Sequence, residues 1–103
     1  MAEIIWTDSA IHDLNEIAEY IALSNPIAAN DLVKNIFATA ERLEQFPKSG
    51  KKPVEITELN YRELIINPCR LFYRISQTSI FIVHICRQER DLRKFLIEKG
   101  QLS

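Results

Sequence analysis

Apolar and polar positions follow two different periods along this chain. Ala10, Leu14, Ile17, Ala18 and Ile21 fall on one helical stripe, while Asp13, Glu16 and Glu19 are expected to point elsewhere, so an amphipathic helix is predicted from about Ala10 onward. Just before it, Glu3-Ile4-Ile5-Trp6 is short and β-prone, and Thr7-Asp8 supplies an N-cap and a charge that suits the helix dipole. A strand is thus predicted to pass directly into the first helix. Ser24-Asn25-Pro26 interrupts the stripe and restarts it, because Asn25 can cap and Pro26 suits the first helical position. The second stripe runs through Ala29, Leu32, Val33, Ile36, Phe37, Ala40 and Leu43 and stops at Phe46-Pro47. The short link between the two stripes favours an antiparallel helical hairpin.

Beyond Pro47 the pattern changes. Pro47-Lys48-Ser49-Gly50-Lys51-Lys52-Pro53 reads as an exposed basic loop. Tyr61–Asn67, Arg70–Ser76 and Ser79–Arg87 are then rich in Ile, Leu, Phe, Tyr and Val and are separated by Asn67-Pro68 and Gln77-Thr78, which predicts a three-stranded meander. Asp91 to Glu98 places Leu92, Phe95 and Leu96 at helical spacing before Gly100. The expected architecture is α+β, in the order β-α-α-β-β-β-α. A small, mainly antiparallel sheet packs one face on the helical hairpin. The initial strand is expected to pair with the meander, and the second sheet face to stay open.

Length and composition narrow the picture further. A chain of 103 residues, 47% hydrophobic and 26% charged, suits one globular domain over residues 1–103. It has no apolar run near the roughly 20 residues that cross a bilayer and no basic-then-apolar leader, so a cytoplasmic location is expected. Cys69 and Cys86 lack CxxC or histidine-rich company, so neither a disulfide framework nor a metal site is expected. Pairing about Gln77-Thr78 would set Cys69 opposite Cys86, within disulfide reach, with two free thiols favoured in a reducing cytosol. The net charge of −1 conceals an asymmetry, since residues 1–46 carry −6 and residues 47–103 carry +5. An acidic partner is therefore to be sought on the second half.

Trp6-Thr7, Ala10, Asp13-Leu14, Ile17, Tyr20-Ile21, Phe46-Pro47 with Gly50, Tyr61-Arg62-Glu63-Leu64 and Phe72-Tyr73-Arg74-Ile75 together resemble the ParE branch of the RelE/ParE toxins, over roughly residues 3 to 90. The resemblance implies a plasmid-stabilisation type toxin held inactive by a co-expressed, ParD-like antitoxin whose C-terminal segment folds over it. It also implies one of two targets: ParE-like members poison DNA gyrase, whereas RelE-like members cut messenger RNA on the ribosome. No cofactor is implied.

An RNase of the second kind needs cations and a proton-transfer group on the open sheet face. Arg62 and Arg70 match basic positions of RelE-like enzymes, but Leu64 stands where a lysine is expected, Gln88 where an arginine is common, and Lys94 where some relatives carry a catalytic tyrosine. No catalytic residue is therefore assigned. Arg62, Arg70, Arg74, Arg87 and Arg90 gather about the meander and suit bidentate capture of a target's carboxylates. The competing reading pairs them with Glu63 and Glu89. Tyr20, Leu32, Ile36, Phe72 and Phe81 are the expected antitoxin contacts. Trp6 is read as core and His84, between Val83 and Ile85, as a half-buried structural residue. Lys48, Lys51 and Lys52 are read as solvated loop charges, with a local basic patch as the alternative.

Overall fold

Thr7 links a strand, a helix and a distant part of the chain. In the computed structural model, which describes residues 2–103, it lies between strand β1 (Glu3–Trp6) and helix α1 (Asp8–Ala22). Its hydroxyl accepts from the Ala10 amide at 3.2 Å, capping α1, and donates to the Ile82 carbonyl at 2.8 Å. Asn25 caps helix α2 (Pro26–Glu41) by accepting from the Ala28 amide at 3.0 Å, with Pro26 opening the helix. A 3-10 turn (Arg42–Glu44) follows, then strands β2 (Arg62–Ile66), β3 (Cys69–Ser76) and β4 (Ser79–Arg87). Helix α3 (Leu92–Glu98) closes the order, capped by Asp91 through the Lys94 amide at 3.1 Å. No described helix is long and apolar enough to cross a membrane.

The sheet runs β1-β4-β3-β2, with β1 parallel to β4 and the other neighbours antiparallel. The expected pairing of the first strand with the meander holds, and the long connection that a parallel pair requires runs through the α1–α2 hairpin, β2 and β3. Facing the hairpin, Leu71, Tyr73, Ile80, Ile82 and Ile85 pack with Ala10, Leu14, Ile36 and Leu43. Each aliphatic side chain enclosed there contributes roughly 1.5–3 kcal/mol of burial free energy. Trp6 is partly buried at the margin of this core, its ring 4.6 Å from that of Phe37.

Two expectations are corrected. The second sheet face is not open: α3 and the segment 53–61 lie over it and build a second core of Ile56, Tyr61, Phe72, Val83, Cys86, Leu92, Phe95 and Leu96. A third layer results, which the hydrophobic pattern of the sheet alone does not disclose because α3 is short and 53–61 has no regular period. The second correction concerns register. Tyr73 pairs with Ile82 but Phe72 pairs with His84, so Val83 is an extra residue in β4. This bulge shifts every later pair by one. Cys69 stands opposite Arg87 and Cys86 opposite Arg70, and the two buried thiols belong to cores on opposite faces of the sheet.

Candidate functional site

Arg70 was expected to offer its guanidinium to a target, and the fold encloses it instead. It is 7% exposed. Glu55 receives a two-pronged grip, with Nη1 donating to Oε2 at 2.9 Å and Nη2 to Oε1 at 3.1 Å. Glu63, one strand away, accepts from Nε at 3.1 Å and also from Nη2. The hydrogen bonds from Arg70 hold the Glu55 carboxyl below its ordinary range. Burial alone would make the guanidinium easier to deprotonate, but the two carboxylates reverse this and raise its pKa. The segment bearing Glu55 is secured by Ile56, enclosed in the second core, and by Arg93 of α3. Arg93 grips the Glu58 carboxylate at 2.7 and 3.2 Å and the Glu55 carbonyl at 3.2 Å, holding the Glu58 carboxyl down at about 2. The strap 53–61 thus seals Arg70 against the sheet.

The other four arginines do not converge with it. Arg62 donates to the main-chain carbonyls of Lys48 and Gly50 at 3.3 and 2.7 Å, fastening the basic loop. Arg74 lies over the Phe81 ring at 4.2 Å on the side of the sheet away from the hairpin. Arg87 pairs with Glu89 at 2.7 Å and Arg90 with Glu98 at 2.7 Å, both at the surface. The pairing weighed as the alternative, with Glu63 and Glu89, describes Arg70 and Arg87, whereas Arg90 pairs with Glu98. Proximity along the meander did not reveal this, because neighbouring positions on a strand point to opposite faces.

A buried polar group beside α1 escaped the sequence reading. Asp13 is 6% exposed and does not point away from the core. Its position, three after Ala10 and four before Ile17, was the available signal. Its carboxylate accepts from the Ile85 amide at 3.1 Å and from Lys99, and lies 3.8 Å from His84 Nδ1. Burial pushes the Asp13 pKa up, but the nearby His84 ring and the bonds from Lys99 and Ile85 outweigh it and leave the carboxyl below its ordinary value. Ser9 Oγ is 3.2 Å from the same ring nitrogen of His84. A nucleophile relay needs the base to address serine and carboxylate through different nitrogens. The trio therefore ties α1 to β4, and His84, 3% exposed, is packed edge-on between Tyr61 and Phe95. Among the described residues, no group of His, Cys, Asp and Glu is placed to hold a metal ion.

The turn between α1 and α2 displays apolar side chains: Tyr20, Leu23 and Ile27 are 70%, 84% and 75% exposed. Beside them a groove of about 510 Å³ runs between α2 and the β2–β3 turn, with Ile21, Leu32, Asn35, Pro68 and Arg87 among its lining residues. Of the expected antitoxin contacts, Tyr20 is on this surface and Leu32 lines its groove. Phe81 lies beneath Arg74, on the other side of the sheet. Ile36 and Phe72 are corrected: both are fully enclosed, Ile36 in the first core and Phe72 in the second. Helical spacing and strand alternation identified them as apolar without telling which apolar face the chain itself covers.

The sequence pattern described as ParE toxin of type II toxin-antitoxin system, parDE, matches residues 4–92. Toxin RelE2 of Caulobacter vibrioides is 29% identical over 86 residues, covering 82% of this chain and 93% of that protein. Among solved structures, the chromosomal ParDE toxin–antitoxin system from P. aeruginosa superimposes with a TM-score of 0.74 at 26% identity, over 86% of this chain and 98% of that one. The RelBE2 toxin–antitoxin complex from Mycobacterium tuberculosis shares the fold, with a TM-score of 0.57 at 20% identity over 84% and 98% of the two chains. A four-stranded mixed sheet carried on a helical hairpin, matched along nearly its whole length by these relatives, places this chain in the ParE toxin family of type II toxin–antitoxin systems.

Proposed function

We propose that this toxin acts by binding a protein target, DNA gyrase, without cutting RNA, and that a cognate ParD-like antitoxin neutralises it. The observation that carries this reading is the confinement of Arg70. A phosphodiester needs an accessible cation to stabilise developing charge and a nearby group to move a proton. Arg70 is committed to Glu55 and Glu63, Arg62 to two carbonyls, and the strap 53–61 occupies the sheet face where such a site would be built. The exposed Tyr20, Leu23 and Ile27 and the adjacent groove suit the apolar face of an antitoxin segment. The ParDE assembly solved from P. aeruginosa supports a partner of that kind. Gyrase works in the cytoplasm, and the reading places this chain there.

The test is a supercoiling assay with purified gyrase, scored for lost supercoiling and for trapped cleavage complexes. Inhibition by the folded protein, absent after heat denaturation, is the expected result. No effect at a large excess over gyrase, together with cleavage of ribosome-bound message, would replace this reading with the ribonuclease one.

A further inference from the structure

Phe46-Pro47-Lys48-Ser49-Gly50 is fixed in place and yet presents an aromatic ring to solvent. Phe46 is 63% exposed. The segment is held from below by Tyr73, whose hydroxyl donates to the Pro47 carbonyl at 2.7 Å and accepts from the Gly50 amide at 2.9 Å. Arg62 holds the Lys48 and Gly50 carbonyls, and the Phe46 and Ser49 amides bond to the Arg42 and Phe46 carbonyls at 3.0 and 3.1 Å. Phe46, Pro47 and Ile75 line a groove of about 520 Å³ with Lys48, Ser49 and Gln77 at its sides. No carboxylate lines it. Among the described residues Lys48 enters no ion pair, nor do Lys51 and Lys52 farther along the loop. The groove lies at the end of β3 next to the β3–β4 turn, whereas the groove assigned to the antitoxin lies at its other end, by Asn67 and Pro68.

We propose that this groove is a docking surface for an acidic segment of a partner protein that inserts one aromatic or aliphatic side chain beside Phe46. A pre-ordered apolar groove loses little freedom on binding, and its exposed aromatic ring is of the type that dominates interfaces. Charge decides the rest of the occupant. An unpaired lysine at the rim and two more on the same loop favour carboxylates flanking the inserted side chain. Nucleic acid fits less well, since three lysines, of which Lys48 alone lines the groove, are fewer than the roughly 6–10 phosphate contacts that such binding draws on. The surface is independent of which target the toxin poisons.

The experiment is an amide NMR titration of the full chain with a synthetic peptide of alternating Asp and Glu around a central Phe-Leu. Its controls are the Asn/Gln counterpart and an oligothymidylate. The acidic peptide should shift Phe46, Lys48, Ser49, Ile75 and Gln77 saturably, and the affinity should fall as salt rises. Phe46→Ser and Lys48→Glu should each weaken it by about tenfold while the rest of the spectrum stays in place, and Ile27→Ser should leave it unchanged. No shift at these residues with peptide up to about 1 mM would overturn the proposal. So would equal binding of the uncharged peptide, or tighter binding of the oligonucleotide at the same residues.

Discussion

Tyr73 is wholly enclosed, and its hydroxyl joins the Arg62 guanidinium in fixing the loop from Pro47 to Gly50 against the sheet. Replacing it with phenylalanine leaves a buried amide and a carbonyl unpaired. Tyr73→Phe is expected to lose roughly 1–3 kcal/mol in urea unfolding. Gly50 admits no side chain there, because a Cβ would stand 2.6 Å from both the Glu63 carbonyl and the Tyr73 hydroxyl. Gln77 tells the opposite story, with φ of +55° at the first turn position between β3 and β4. Glycine adopts that conformation without steric cost, so Gln77→Gly should stabilise the fold by roughly 0.5–1 kcal/mol in the same measurement. Asp13 connects residue chemistry to pH. Its folded carboxyl titrates below its ordinary value of 3.8, so its stabilisation is complete above that value and is lost as pH falls through the lower, folded one. Asp13→Asn should therefore lower stability by roughly 1–3 kcal/mol at neutral pH. Denaturation midpoints measured from pH 5 downward, about one unit above that ordinary value, should also show a shallower acid slope than the parent, with Glu55 and Glu58 supplying what remains.

Helices α1 and α2 and all three meander strands were legible in the sequence, because each has a period, a cap or a turn residue that acts locally. Thr7, Asn25 and Asp91 cap where their side chains predicted or allowed it. The bulge at Val83 was not legible. Ile80 to Cys86 is an apolar run broken only by His84, with no alternation to mark an extra residue, and the Thr7 hydroxyl, from far along the chain, bonds the Ile82 carbonyl there and approaches that of Val83 at 3.4 Å. Its effect reaches the thiols. Cys69 and Cys86 project to opposite faces, and burial pushes Cys86 up to about 12. Native protein treated with a mild oxidant should form no intramolecular disulfide, and neither thiol should react with a thiol reagent until denaturant is added. Mass spectrometry of the labelled protein reads both outcomes. The enclosure of Arg70 was hidden for a related reason: composition locates charge along a strand, while its partner Glu55 arrives from a segment with no pattern of its own.

At the scale of the whole molecule, two apolar surfaces lie at opposite ends of β3, one assigned to the antitoxin and one to an acidic partner segment. Because Tyr20 and Ile27 are exposed, Tyr20→Ala with Ile27→Ala should keep the fold and weaken antitoxin binding by roughly 2–4 kcal/mol in calorimetry. Unchanged affinity would move the antitoxin elsewhere. The sheet is also completed in an unusual order, since β1 at one edge pairs in parallel with β4, the last strand, and Thr7 and Ile82 bond across 75 positions. A ribosome adding roughly 5–20 residues per second takes roughly 4–15 s to cover that distance. For the later part of that interval, after residues up to Glu41 have emerged, the helical hairpin stands without the sheet it packs on, and its stripe is open to any segment able to cover it. Synthesis therefore gives an antitoxin already in the cell its first opportunity before the toxin exists as a folded molecule.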